Sequence, residues 1–308
     1  MGQSINFNPS TDIGSLEGKV ILVTGGNAGL GLQTIRNLCT HAPTRIYLAA
    51  RTPSKASAAI KALRISLPHA CEIIHLPLDL SSFPSIRAAA TTFLARESRL
   101  DILINNAGVL ALPYATTPDG YEIQFGTNHL GHALFTKLLL PALLAAQDAR
   151  VVTVSSIGHN LTPRGGVMLD QSALREQHTW RRYGNSKLAN ILWTKQLAAR
   201  YPGLTCVSLH PGVIVTDIYA SVAQNVVARA ALWVFSLLAA VLPGCFASVE
   251  GGAKCQTWAA TVGKGELESG GYYRPIGVRS RGSRCAGDEG LGKKLWEWTE
   301  GEFERCGY

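Results

Sequence analysis

Residues 20–38 read "VILVTGGNAGLGLQTIRNL", and their order decides the fold. Val20 to Thr24 form an apolar, β-branched run without alternation, as expected of a strand covered on both faces. A glycine-rich turn follows at once, "TGGNAGLG" from Thr24 to Gly31, and a helical pattern begins directly after it. Such a strand–turn–helix unit lets backbone amides approach a pyrophosphate, and the helix N-terminus adds positive potential. The spacing is T-G-x-x-x-G-x-G, with Gly25, Gly29 and Gly31 in place, rather than the general G-x-G-x-x-G fingerprint. Glycines alone also mark plain turns. The flanking strand and helix favour the cofactor loop.

The same alternation continues outward. Apolar runs at Arg45–Ala50, Glu72–Leu76, Asp101–Asn105, Val151–Ser155 and Thr205–His210 read as strands. Helical stretches at Leu30–Cys39, Ser54–Ser66, Ser85–Ser98, Leu130–Ala146 and Lys187–Arg200 lie between them. The pattern predicts an α/β protein with a doubly wound parallel sheet, a Rossmann fold, and a ligand beyond the carboxyl ends of the strands. Residues 17–308 are expected to form one domain, with 1–16 as an N-terminal extension and a substrate lid near 217–247. No internal repeat interrupts it.

An NAD site wants an acidic residue at the end of the second strand, where it accepts from the ribose 2′-hydroxyl. No Asp or Glu occurs between Glu17 and Glu72. The second strand ends in "YLAARTPSK" instead, which offers Arg51 and Lys55 to a 2′-phosphate. NADP(H) is therefore the expected cofactor. Further strands end in "LDL" (Leu78–Leu80), "NNAG" (Asn105–Gly108) and "VSS" (Val154–Ser156), small polar endings that converge on one crevice.

Together with "YGNSK" (Tyr183–Lys187) and "HPGVIVTD" (His210–Asp217), these motifs resemble the short-chain dehydrogenase/reductase family over residues 17–275. The Arg51 ending, "TGGNAGLG" and "SKLANILWTKQLA" resemble its retinol-dehydrogenase-like branch most. The resemblance implies that Tyr183 is the general acid of carbonyl reduction, with Lys187 as its partner. A free phenol titrates near 10, and an ammonium one helical turn away favours the phenolate. It further implies that Ser156 holds the substrate oxygen and that Asn128, in "QFGTNHLGH", anchors a water reaching Lys187. Gly25, Asn27, Gly29, Leu30 and Gly31 match the pyrophosphate loop, and Asp79 and Leu80 the adenine contact. Asn106, Ala107 and Gly108 match the stretch beside the adenine ribose. Pro211, Gly212, Val213 and Thr216 match the nicotinamide contacts. Ser156 and Tyr183 stand 27 positions apart, farther than the family's usual gap. The intervening loop is expected to cover the site, with His159 as its candidate substrate contact.

Composition narrows the partners. The chain has 308 residues, 46% hydrophobic and 16% charged, with a formal charge of +8. That describes a globular protein with a sizeable core. Lys and Arg are scattered, and the densest basic segment, Arg274–Arg284, reads as a solvated loop, so no nucleic-acid partner is expected. Seven cysteines form no C-x-x-C, which suggests neither a disulfide framework nor a metal site. With no signal-peptide pattern in "MGQSINFNPS", the reading is a reducing, cytoplasmic compartment.

Val226–Leu242 is apolar apart from Arg229 and Ser236 and close to the lower length for a bilayer span. A lid over an apolar pocket, with Trp233 and Phe235 as aromatic wall, or a core helix is preferred to membrane contact. The expected activity is NADPH-dependent reduction of an apolar carbonyl, or oxidation of the matching alcohol, in a homodimer or tetramer. Secondary metabolism is one expected setting. The alternatives are a non-catalytic NADPH-binding regulator and a membrane-peripheral reductase of retinoid or steroid type.

Overall fold

The glycine turn links β1 (Val20–Thr24) to α1 (Gly29–Cys39), and the unit then repeats. β2 (Arg45–Ala50) precedes α2 (Pro53–Ser66), and β3 (Glu72–Pro77) precedes α3 (Phe83–Leu94). β4 (Ile102–Asn105) leads to α4 (Gly131–Ala145), and β5 (Arg150–Val154) to α5 (Thr179–Arg200). After β6 (Thr205–Leu209) come α6 (Val249–Thr261), the hairpin of β7 (Tyr272–Arg274) and β8 (Val278–Ser280), and α7 (Glu289–Arg305). The computed structural model describes residues 4–67, 71–212, 214, 248–263 and 265–308.

The strands form one sheet in the order β3-β2-β1-β4-β5-β6-β7-β8. Every pairing is parallel except β7 with β8. Consecutive strands run outward from β1 to one edge, and β4 then starts toward the other. The crevice between β1 and β4 is therefore the switch point at which a doubly wound sheet binds its ligand. Ile21, Leu22 and Val23 in the central strand are fully buried, because helices cover both faces.

One core lies under α3, α4, α5 and α7, with Phe83, Phe93, Phe135, Trp193 and Phe303. The other lies under α1, α2 and α6, with Ile35, Leu63, Cys255 and Trp258. Phe7, Ile13 and Leu16 from the N-terminal segment are buried in this second core, and the Ile5 amide donates to the Ile276 carbonyl at 3.0 Å. Residues 4–16 thus pack on the domain. Cys39 and Cys71 bring their sulfurs to 3.7 Å, and the six described cysteines are thiols.

Two expectations need correction. α5 starts at Thr179, eight positions before Lys187. Gly184, Asn185 and Ser186 are weak helix formers, but burial of the segment from Arg182 to Thr194 outweighs local propensity. The basic segment Arg274–Arg284 is only partly loop: Arg274 pairs with Val278 in a hairpin whose turn buries Ile276, while Arg274, Arg279 and Arg281 are exposed as expected. Strands of three residues carry too little periodicity to be read from sequence.

Candidate active site

Beyond the carboxyl ends of β1, β2 and β4 lies a cavity of about 250 Å³. Gly25, Asn27, Arg51, Lys55, Asp79, Leu80, Ala107 and Gly108 all line it, as do Val109 and Thr127. Gly108 also lines a second, narrower cleft of about 90 Å³, so the two adjoin at this residue. Leu30, Asn106, Ser156, Tyr183, Lys187, Pro211 and Gly212 meet there. A larger groove along α2 and β3 lies away from these strand ends, and Glu72 in its wall is paired with Arg45 and Arg96.

The glycine turn is built to take an anion. Ala28, at the N-cap of α1, has no side chain that caps the helix, and its first turn holds no acid. The orphan amides of that turn therefore face a position where negative charge is favourable. Gly31 allows the tight approach. A Cβ there would lie 2.4 Å from the Gly25 carbonyl oxygen and 2.6 Å from Asn106 Nδ2. Arg51 and Lys55 are exposed at the far end of the cavity and make none of the ion pairs recorded among the described residues. The Asp79 carboxylate, by contrast, is engaged by the amide and hydroxyl of Ser81, at 2.9 and 2.7 Å. The donor set thus fits a dinucleotide carrying an extra phosphate.

At the other end, α5 presents Tyr183 and Lys187 one turn apart, both buried. Lys187 Nζ lies 5.8 Å from the centre of the Tyr183 ring and donates to the Val154 carbonyl at 2.9 Å. Burial lowers the lysine from its ordinary 10.5 to about 8. The serine pair separates clearly. Ser155 donates to the Lys187 carbonyl at 2.7 Å, so its hydroxyl is spent on α5. Ser156 Oγ instead accepts from the Gly158 amide at 3.0 Å, which leaves its proton to be donated into the cleft. Gly158 also makes room for the phenol, since a Cβ there would lie 2.8 Å from Tyr183 Cε1.

Asn128 sits in a π-helical turn, Gly126–Leu130, and is fully buried. Its Oδ1 accepts from the Val109 amide at 2.7 Å, and its Nδ2 donates to the Val109 carbonyl and Ser186 Oγ. Both side-chain amide hydrogens are spent, so the water expected there would have to donate, to a lone pair of Oδ1 or of the main-chain carbonyl. Sequence reasoning missed the residues behind it. His132 joins the Asn128 carbonyl, 3.0 Å from Nδ1, to Thr24 Oγ1, 2.9 Å from Nε2. Burial pushes this imidazole down to about 4, so it is neutral at pH 7. Thr24 Oγ1 accepts in turn from the Asn106 and Ala107 amides, at 2.9 and 3.0 Å. One chain of hydrogen bonds thus ties the glycine turn to the Asn128 turn.

His159 does not line the cleft. Its Nδ1 lies 2.7 Å from the Ser156 carbonyl and its Nε2 accepts from the Ser283 amide at 3.0 Å, while its ring packs edge-on against Tyr272. It staples the loop after Ser156 to the C-terminal segment rather than facing a ligand. His210 does line the cleft, and burial holds it down to about 4. Val213, Thr216, Trp233, Phe235 and the stretches 217–247 and 226–242 lie outside the described residues. Among the described residues no helix is long and apolar enough to cross a membrane, and no three His, Cys, Asp or Glu gather as metal ligands.

Residues 19–226 match the protein family described as short chain dehydrogenase. The chain is 37% identical to short-chain dehydrogenase/reductase drtF of Aspergillus calidoustus, over 94% of this chain and 95% of that one. It is 35% identical to retinol dehydrogenase 11 of Homo sapiens, over 92% and 85% of the two chains. Among solved structures, the RhlG/NADP active-site complex of Pseudomonas aeruginosa superposes with a TM-score of 0.64 at 25% identity, covering 85% of this chain and 96% of that one.

Proposed function

The chain belongs to the short-chain dehydrogenase/reductase family, on its retinol-dehydrogenase-like branch, and on that premise we propose that it reduces an apolar carbonyl with NADPH, or oxidises the matching alcohol in reverse. One observation carries the reading: Ser156, Tyr183 and Lys187 share a cleft that adjoins the glycine-turn cavity at Gly108. Arg51 and Lys55 at the ribose end, the acid-free second strand and the NADP complex of RhlG support NADPH over NADH.

The nicotinamide supplies the hydride when it is bound. Tyr183 donates its phenolic proton to the substrate oxygen, and Ser156 holds that oxygen with its free hydroxyl hydrogen. Lys187 stabilises the phenolate left behind, and in a site screened from water its charge acts strongly. A phenolate beside it in turn restores the lysine's hold on its own proton. The turn from Gly25 through Asn27 and Leu30 to Gly31 would cradle the pyrophosphate. Asp79 and Leu80 would hold the adenine, and Asn106, Ala107 and Gly108 its ribose. Pro211 and Gly212 would border the nicotinamide. Leu30, Leu110, Val154 and Ile214 in the cleft wall support an apolar substrate.

The test is oxidation of NADPH and NADH by the purified protein against a panel of apolar aldehydes and ketones. Turnover that favours NADPH with at least one of them is expected. Tight NADPH binding with no turnover across the panel would mean a non-catalytic binding protein instead.

A further inference from the structure

After β4 the chain crosses the mouth of the cleft as Val109–Leu112, in neither helix nor strand. Side chains, all of them buried except the half-buried Thr179, hold its backbone at three points. Asn128 takes both the amide and the carbonyl of Val109, at 2.7 and 2.9 Å. Gln124 Oε1 accepts from the Ala111 amide at 2.9 Å. Thr179 Oγ1 and Arg182 Nη2 donate to the Leu112 carbonyl, at 2.7 and 3.0 Å.

The last two anchors are themselves braced. Gln124 Nε2 donates to Thr179 at its carbonyl and hydroxyl, 3.1 and 3.2 Å away. Arg182 Nε lies 3.2 Å from Glu122 Oε1, and the other Glu122 oxygen accepts from the Gln124 and Phe125 amides. Glu122 and Gln124 are fully buried and Arg182 is 5% exposed. Between the anchors, Ala111 is held at φ 52°, a left-handed conformation that costs a residue with a Cβ. Leu110, beside it, lines the cleft with Ser156 and Tyr183.

A buried ion pair is a poor way to stabilise a fold, because desolvation offsets its attraction. This one is spent on a strained loop at the cleft mouth, and Arg182 is the immediate neighbour of Tyr183 on α5. We infer that Arg182, with Glu122 and Gln124, is a positioning clamp that fixes Leu110 as the apolar wall of the substrate pocket. The wall limits the site to carbonyl compounds that are slim beside the reacting carbon, linear or planar rather than branched. The inference rests on the carbonyl-reductase reading of the same cleft.

The experiment compares a linear decanone with its tert-alkyl isomer as probes. Dissociation constants are measured for both on the NADPH complex, together with kcat and KM where turnover occurs. Leu110→Ala should shift discrimination toward the branched isomer by about tenfold, the usual scale for a few methyl groups in an apolar pocket. Arg182→Lys, which keeps the charge but loses the guanidinium fork, should shift it the same way through KM, with kcat for the linear ketone and the NADPH dissociation constant within about twofold. The double variant should gain little over either single one. Gln124→Asn serves in place of Arg182→Lys if that variant does not fold. A lower melting temperature with unchanged discrimination in both clamp variants overturns the clamp, and unchanged discrimination in Leu110→Ala overturns the wall. Failure of the reductase reading is a separate result: both ketones bind with the expected discrimination, yet neither is turned over.

Discussion

Lys187 is almost wholly buried, and burial costs its ammonium more than its neutral amine. The displacement from 10.5 to about 8 corresponds to roughly 3 kcal/mol. Below about pH 8 both folded and unfolded chains carry the charge, and the folded chain bears the penalty in full. Between about 8 and 10.5 the unfolded chain binds more protons, so stability rises with pH across that window. Lys187→Met should therefore leave the cofactor-free protein at least as stable as the parent at pH 7 in urea titrations, with the advantage fading by pH 10. A variant clearly less stable at pH 7 would show that the hydrogen bond to Val154 outweighs desolvation. Tyr183 and Lys187 were singled out in sequence through the accompanying family motifs rather than through their spacing, and the structure brings both to one cleft. Thr24 with His132 and His159 with Ser283 were not legible, since the sheet joins partners 108 and 124 positions apart.

The glycine turn owes its shape to close approach as much as to flexibility. A Cβ on Gly31 meets backbone at the Gly25 carbonyl, which cannot yield as a side-chain tip can. Gly31→Ala should therefore displace the start of α1 and weaken NADPH binding by at least about tenfold in a fluorescence titration, while circular dichroism stays native. Unaltered affinity would mean that the pyrophosphate is held elsewhere. The strand cores of β1 to β6 were read correctly because apolar runs of five or six residues report burial directly. The start of α5 was not, because its first turns are polar and glycine-bearing and become helical only through burial. The π-helical turn that delivers Asn128 likewise has no sequence signature.

Across the whole molecule the charge is +8, and two of its cations, Arg51 and Lys55, stand at the cavity beyond the end of β2. Arg51→Asp should lower the NADPH-to-NADH preference by about tenfold or more, because a charge-assisted contact is replaced by repulsion. An unchanged cofactor ratio would remove the 2′-phosphate assignment. Topology followed from the strand–helix alternation, whereas the C-terminal hairpin and α6 did not. Their task is to close the sheet beyond β6 and to cover the first turn of α1. Gln256 of α6 donates to the Leu30 carbonyl of that turn at 3.3 Å and to Thr34 Oγ1 of the next at 2.6 Å, and approaches Asn106 Oδ1 at 3.2 Å.

The central claim is that this doubly wound sheet brings a phenolic acid to a cofactor-fed cleft. It is tested most directly by single-turnover NADPH oxidation in Tyr183→Phe, beside NADPH binding to the same variant. The account predicts a rate lowered by about a hundredfold or more, with the NADPH dissociation constant within about twofold of the parent. A variant that binds NADPH and oxidises it at the parent rate would contradict it.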